Sequence, residues 1–164
     1  MNEYKIELEL LSDTLIGSSE GFGAIIDTDI IYDETGLPFI PAKRIKGILK
    51  DSADELNKYL RLNIDINSLW GSVGQKVNGT VNFPNLYIED YENNKKWLRY
   101  IIGNDKLVIT KDMVLNHFTD IRKNTAIDNE NGITKDHSLR KTRVIIKGIK
   151  FYGVITLEKQ DAHN

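Results

Sequence analysis

One stretch limits the possible folds more than any other: Pro38-Phe39-Ile40-Pro41-Ala42-Lys43-Arg44-Ile45-Lys46-Gly47-Ile48-Leu49-Lys50. From Ala42 onward the apolar positions are Ile45, Ile48, Leu49, Ala53, Leu56 and Leu60. Steps of three and four residues predict a helix of about four to five turns with one core-facing stripe. Pro41 suits the first helical position, where a missing N–H costs nothing. Lys43, Arg44, Lys46 and Lys50 fall off the stripe, and the first three stand in the opening turns. A helix start already carries roughly half a positive charge, so cations there are unfavourable and anions are drawn in. No Ser, Thr, Asp or Asn precedes the run to cap it.

Around this helix the chain reads as strands and turns. Tyr4, Ile6, Leu8 and Leu10 alternate with Lys5, Glu7 and Glu9, the period of a half-buried strand. Gly17 to Gly23 is a small-residue loop, Asp27 to Asp33 a short extended piece, and Asp33 to Pro38 a turn. A strand candidate from Val81 to Ile88 is interrupted by Pro84, and Leu69 and Trp70 are expected on the core. The run Asn93 to Thr110 fits strand and helix alike. Thr119 to Glu158 has a polar middle turning at Asn131–Gly132, flanked by β-capable segments, with a hairpin expected at Lys147–Gly148. No internal repeat or low-complexity linker is present, so one α+β domain over residues 1–164 is expected.

Composition narrows the chemistry. With 40% hydrophobic and 28% charged residues, the chain is ordinary for a globular domain. It contains no cysteine, which excludes disulfides and thiolate metal sites and fits a reducing, cytoplasmic setting. There is no signal-peptide core and no apolar run of the ~20 residues that a membrane span requires. The net charge of −2 will not draw nucleic acid to the whole protein, so a polyanion site must come from local clustering. His117, His137 and His163 are too scattered for a zinc site. Ser138 to Lys141 matches a serine–lysine pattern only formally, and Gly21 to Gly23 lacks the surroundings of a dinucleotide fingerprint.

Two basic clusters remain. One is Lys43, Arg44, Lys46 and Lys50; the other is Arg122, Lys123, Lys135, Arg140, Lys141 and Arg143. Such residues more often do no more than solvate a polar face. Position favours a polyanion site here: the first cluster opposes a helix dipole and the second sits in a long polar loop, with RNA or DNA phosphates as the obvious ligand. Asp27, Asp29 and Asp33 are expected on one face of an extended segment, able together to hold a divalent cation or orient a hydroxyl. Turn and solvation chemistry is the alternative, kept for Asp33 and Asp29 and only weakly for Asp27.

At these residues the sequence resembles the RAMP superfamily of CRISPR-associated proteins, and within it the backbone subunits that coat guide RNA in type III effector complexes. Pro38 to Lys50 is similar to the family's Pro-x-Ile-Pro-Gly-Ser-Ser-Leu-Lys-Gly segment, with Ala42, Lys43 and Arg44 replacing the small Gly-Ser-Ser. Leu69-Trp70-Gly71 resembles the Leu-Phe-Gly that follows, and Ile121 to Phe151 the later Arg…Ile-Asp…Gly block with its Gly148 and Phe151. The resemblance covers residues 4 to 157. It implies a ferredoxin-like domain of the RNA-recognition-motif topology with an inserted β-hairpin thumb. It also leads to the expectation that the usual C-terminal helix and strand are missing.

For function the resemblance implies CRISPR RNA and target RNA as partners in antiviral defence, together with other effector subunits and a homo- or hetero-oligomer. Lys43, Arg44, Lys46 and Lys50 would hold guide phosphates, and Arg122, Lys123, Arg140 and Arg143 would clamp the duplex. The Asn124 to Arg143 loop would be the thumb, with Ile127 as its wedge against a base. Asp27, six residues before Asp33, would be the carboxylate of a magnesium-dependent endoribonuclease acting on target RNA. The rivals are a non-catalytic subunit that caps or bridges the complex and a guide-processing endonuclease. The second is disfavoured by the absence of any histidine before His117.

Overall fold

The computed structural model describes residues 1–18, 26–71, 79–104, 108–125 and 139–158. The elements in chain order are β1 (Asn2–Glu9), β2 (Phe39–Ile40), α1 (Ala42–Leu60), α2 (Ile66–Trp70), β3 (Val81–Asn82), β4 (Leu86–Tyr87), α3 (Tyr91–Ile102), α4 (Lys111–Phe118), β5 (Thr119–Asn124), β6 (Arg140–Ile145) and β7 (Lys150–Leu157). They gather in two compact units. The first holds Met1–Glu7, Ile40–Tyr87 and Tyr152–Asn164; the second holds Leu8–Phe39 and Ile88–Phe151.

The first unit is built on a sheet in the order β1-β7-β4-β2, with β3 also pairing β7. The strand expected from Val81 to Ile88 is two short strands on either side of Phe83-Pro84-Asn85, because proline has no N–H to give to a ladder. Both pair antiparallel with β7, Val81 opposite Leu157 and Tyr87 opposite Tyr152. Gly153 is small for a steric reason: a Cβ there would lie 2.5 Å from Leu86 Cδ2 and 2.9 Å from Pro84 Cγ.

Helix α1 spans the expected residues, but its stripe is not a core stripe along its length. Ile45 is buried and Leu49 and Ala53 are half-buried, whereas Ile48, Leu56 and Leu60 are exposed and Tyr59 is 86% exposed. Periodicity identifies a face but does not say whether anything covers it. On β7, by contrast, Ile155 and Leu157 are half-buried. Exposed apolar side chains of this unit lie on α1 and also at Tyr4, Leu62, Ile64 and Val154.

In the second unit the ambiguous Asn93 to Thr110 stretch begins as helix. Tyr91, Lys95, Leu98, Ile101 and Ile102 recur at helical spacing and are the buried or half-buried positions of α3. Thr110 caps α4, its Oγ1 accepting the Met113 amide at 3.3 Å. β5 and β6 form a two-stranded antiparallel ribbon, with Thr119 opposite Ile145 and Asn124 opposite Arg140. The opposite edge of β6 bridges to Thr14 and Thr28. Ile30, Leu37, Leu115, Ile145 and Phe151 are almost fully buried. Each such side chain contributes about 1.5–3 kcal/mol by leaving water. The turn at Lys147–Gly148 is present, but β6 and β7 enter different sheets, and the Gly148 amide bonds Leu10 O at 2.7 Å instead. Asn131–Gly132 lies outside the described residues.

Candidate functional site

The helix start is satisfied partly from within the first unit. Pro41 is the residue that precedes α1, not its first helical residue; its φ of −62° and ψ of 139° are extended. Its carbonyl accepts from the amides of Arg44 and Ile45. The side chain of Asn85 supplies the cap that proline cannot, Oδ1 accepting the Ala42 amide at 2.8 Å. No acid stands in the first turn of α1. Lys43 and Arg44 project into solvent and Lys46 is half-buried. Lys50 is diverted from this group. Its Nζ donates to Asn67 Oδ1 and Gly71 O, both at 3.0 Å, and so ties α1 to the end of α2.

In the second unit the cations of the ribbon divide by register. Arg122 pairs with Asp13 at 2.5 Å. Asp13 also accepts the Lys147 amide, and these two contacts hold its carboxyl below the usual range. Lys123 stands directly opposite Lys141, and Arg140 opposite Asn124, both at the exposed end. Like charges facing each other across strands are unfavourable unless an anion lies between them. The register sets Lys141 directly against Lys123 within the basic cluster that the sequence marks.

Arg143 is buried and bonded through Nη1, while its Nε makes an ion-pair approach to Asp29 without a hydrogen bond. Nη1 donates to Asn116 Oδ1 at 2.8 Å and to Thr119 Oγ1 at 2.9 Å, and Nε lies 3.2 Å from Asp29 Oδ1. A guanidinium buried and bonded in this way differs from the exposed cations of the ribbon with which sequence spacing groups it. Arg143 was grouped with solvent-facing cations because sequence spacing does not reveal depth. Ile127 lies outside the described residues.

The three aspartates do not share a face. The chain from 26 to 29 runs along β6, while 33 to 37 turns back, so no continuous strand keeps them in phase. Asp29 is buried against Arg143. Asp33 accepts from the Thr35 amide and hydroxyl, the Leu37 amide and the Tyr91 hydroxyl at 2.7–3.1 Å. Burial raises the pKa of this carboxyl, but these hydrogen bonds outweigh it and hold the group below the usual range. The turn needs Gly36, whose φ is 92° and where a Cβ would meet Lys111 O at 2.5 Å. Asp27 alone is exposed. Its amide donates to Lys141 O at 3.0 Å and its Oδ2 accepts the Lys141 amide at 2.7 Å, a reciprocal pair near the open end of the ribbon.

Among the described residues, no group of three His, Cys, Asp or Glu side chains is placed to hold a metal ion. A lone carboxylate with one oxygen already on an amide does not fit a magnesium site by itself, so no step is routed through a metal.

The family model of the RAMP superfamily matches residues 7–162. No curated protein matches the chain. Among solved structures, a chain of the cryo-EM structure of the type III-B Cmr-beta complex bound to cognate target RNA is similar, with a TM-score of 0.73 at 13% identity, covering 98% of this chain and 86% of that one. A chain of the apo-state Cmr-beta structure has a TM-score of 0.69 at 12% identity, with 97% and 85% covered. At such identities the likeness is one of fold, and it bears out the expected α+β, ferredoxin-like class.

Proposed function

The chain belongs to the RAMP superfamily, and from that premise we propose that it is an RNA-binding subunit of a type III CRISPR effector complex. The observation that carries this reading is the start of α1. Lys43, Arg44 and Lys46 crowd a positive helix end with no acid in the first turn, a placement that costs stability unless an anion occupies it. Lys123, Lys141 and Arg140 supply a second phosphate contact on the ribbon, the part of the chain that the family resemblance assigns to the thumb. Neighbouring subunits cover the exposed apolar residues of α1, Leu56, Tyr59 and Leu60. Among the described residues no helix is long and apolar enough to cross a membrane.

The test is the salt dependence of single-stranded RNA binding. Log affinity should fall with log salt by about 0.7 per phosphate neutralised. Replacing Lys43, Arg44 and Lys46 together by alanine should therefore reduce the slope by about 2. An unchanged slope and affinity would remove the helix start from the RNA site.

Cleavage of the target strand is a second activity of the same reading, favoured by Asp27 being the exposed aspartate of its segment. Its carboxylate would align the attacking 2′-hydroxyl. Asp27→Asn keeps an oxygen for the Lys141 amide while losing the charge; Asp27→Ala loses both. In the assembled complex both variants should abolish cleavage and keep RNA affinity, since the loss falls on the transition state. Cleavage retained by Asp27→Asn would make the chain a scaffold, and RNA binding lost only in Asp27→Ala would make Asp27 a fastener of the ribbon.

A further inference from the structure

The second unit holds a feature that the phosphate contacts do not use. A cavity of about 510 Å³ opens beside α3 and α4, walled by Leu98, Ile109, Val114 and Phe118 and flanked by Trp97 and Met113. Trp97 is 66% and Met113 54% exposed. The volume falls in the range of small-ligand sites, and an indole left in water has most of its burial energy still to gain.

We infer that this cavity receives an unpaired nucleobase of single-stranded RNA, stacked on Trp97. Three observations select a base over an apolar side chain. First, the wall carries two groups suited to a base edge, Asn94 and His117. Asn94 Nδ2 gives one hydrogen to Glu89 O at 3.0 Å, which leaves its second hydrogen and its Oδ1 for a ligand; asparagine reads adenine through such a donor–acceptor pair. His117 is held edge-on to Phe118, with ring centroids 5.0 Å apart.

Second, among the described residues no carboxylate lines the cavity, which suits a sugar–phosphate chain. The acids of the two helices, Glu92 and Asp112, stand in their first turns. Third, α3 interleaves aromatics with cations as Lys95-Lys96-Trp97-Leu98-Arg99-Tyr100. Lys95 and Arg99 are held by Glu34, while Lys96 is exposed next to Trp97. Tyr100, one turn on from Trp97 and 65% exposed, offers a second face for the next base. Stacking platforms beside cations are how single strands are bound without base pairing.

The inference rests on the RNA-binding reading above, and one experiment separates their failures. Oligoadenylate and an abasic ribose–phosphate strand of equal length are titrated into the full chain and into Trp97→Ala and Trp97→Phe. Oligoadenylate should bind wild type tighter than the abasic strand does. Trp97→Ala should weaken oligoadenylate by roughly ten- to a hundredfold, leaving abasic binding and the salt slope unchanged; Trp97→Phe should recover most of the loss. In a Trp70→Phe background, oligoadenylate should quench the remaining Trp97 fluorescence. Wild-type affinity of Trp97→Ala for oligoadenylate, or equal binding of the two strands, overturns the base site and leaves phosphate binding standing. A cavity occupied instead by a partner protein's side chain would give that result. Failure of both strands to bind wild type overturns both readings.

Discussion

The two basic clusters are alike as text and opposite as structure. Lys43, Arg44 and Lys46 sit where a helix dipole makes cations unfavourable, with no acid in that turn. Arg122 and Arg143 each meet a carboxylate and are used to hold the second unit together. A charge placed against a helix dipole is eased by an anion, whereas a charge sealed beside a buried carboxylate is part of the scaffold. The ribbon contains both kinds: Arg143 is sealed beside Asp29 at one end, and Lys123 faces Lys141 near the other.

That contrast can be broken most forcefully at Arg143. Removing one partner of a buried ion pair leaves the other charged and unpaired, so Arg143→Ala should destabilise the protein by about 3–5 kcal/mol. Denaturant unfolding measures this, and replacing Asp29 and Arg143 together by apolar residues should restore much of the loss. Equal stability of Arg143→Ala and wild type would return Arg143 to the RNA-contact set.

The Lys43, Arg44 and Lys46 triple variant should behave in the opposite way. Its stability should stay level or rise by up to about 1 kcal/mol, because cations leave the positive end of a helix. A marked fall in its thermal midpoint would mean that these side chains hold the fold as Arg143 does.

The smallest change is expected at the open end of the ribbon. Lys123→Ala, or equally Lys141→Ala, should relieve a facing like-charge pair and stabilise by a few tenths of a kcal/mol. In RNA titrations the same variant should lower the salt slope by about 0.7. A slope unchanged in both single variants would confine phosphate binding to α1.

Much of the fold was legible before any coordinates, for local reasons. Steps of three and four residues marked α1, alternation marked β1, Pro84 split a strand, and Asp33-Glu34-Thr35-Gly36 marked a turn that Gly36 makes with a positive φ. Each signal depends on residues within a few positions of one another, and backbone sterics read that distance directly.

Depth and register were not legible. Ile48, Leu56 and Leu60 repeat as regularly as Ile45 yet stay in water, and Arg143 looks no different in sequence from Arg140 yet is buried. Asp27, Asp29 and Asp33 share a spacing but face Lys141, Arg143 and Tyr91 respectively. Asn94 and His117, 23 positions apart in the sequence, line one cavity. Sequence by itself determined α1, β1 and the Asp33 to Pro38 turn, because these depend on short-range backbone geometry, and it left Asn93 to Thr110 open. Only the tertiary structure decided which cations are sealed beside carboxylates and which face solvent, because burial and pairing depend on segments that lie far apart in the chain.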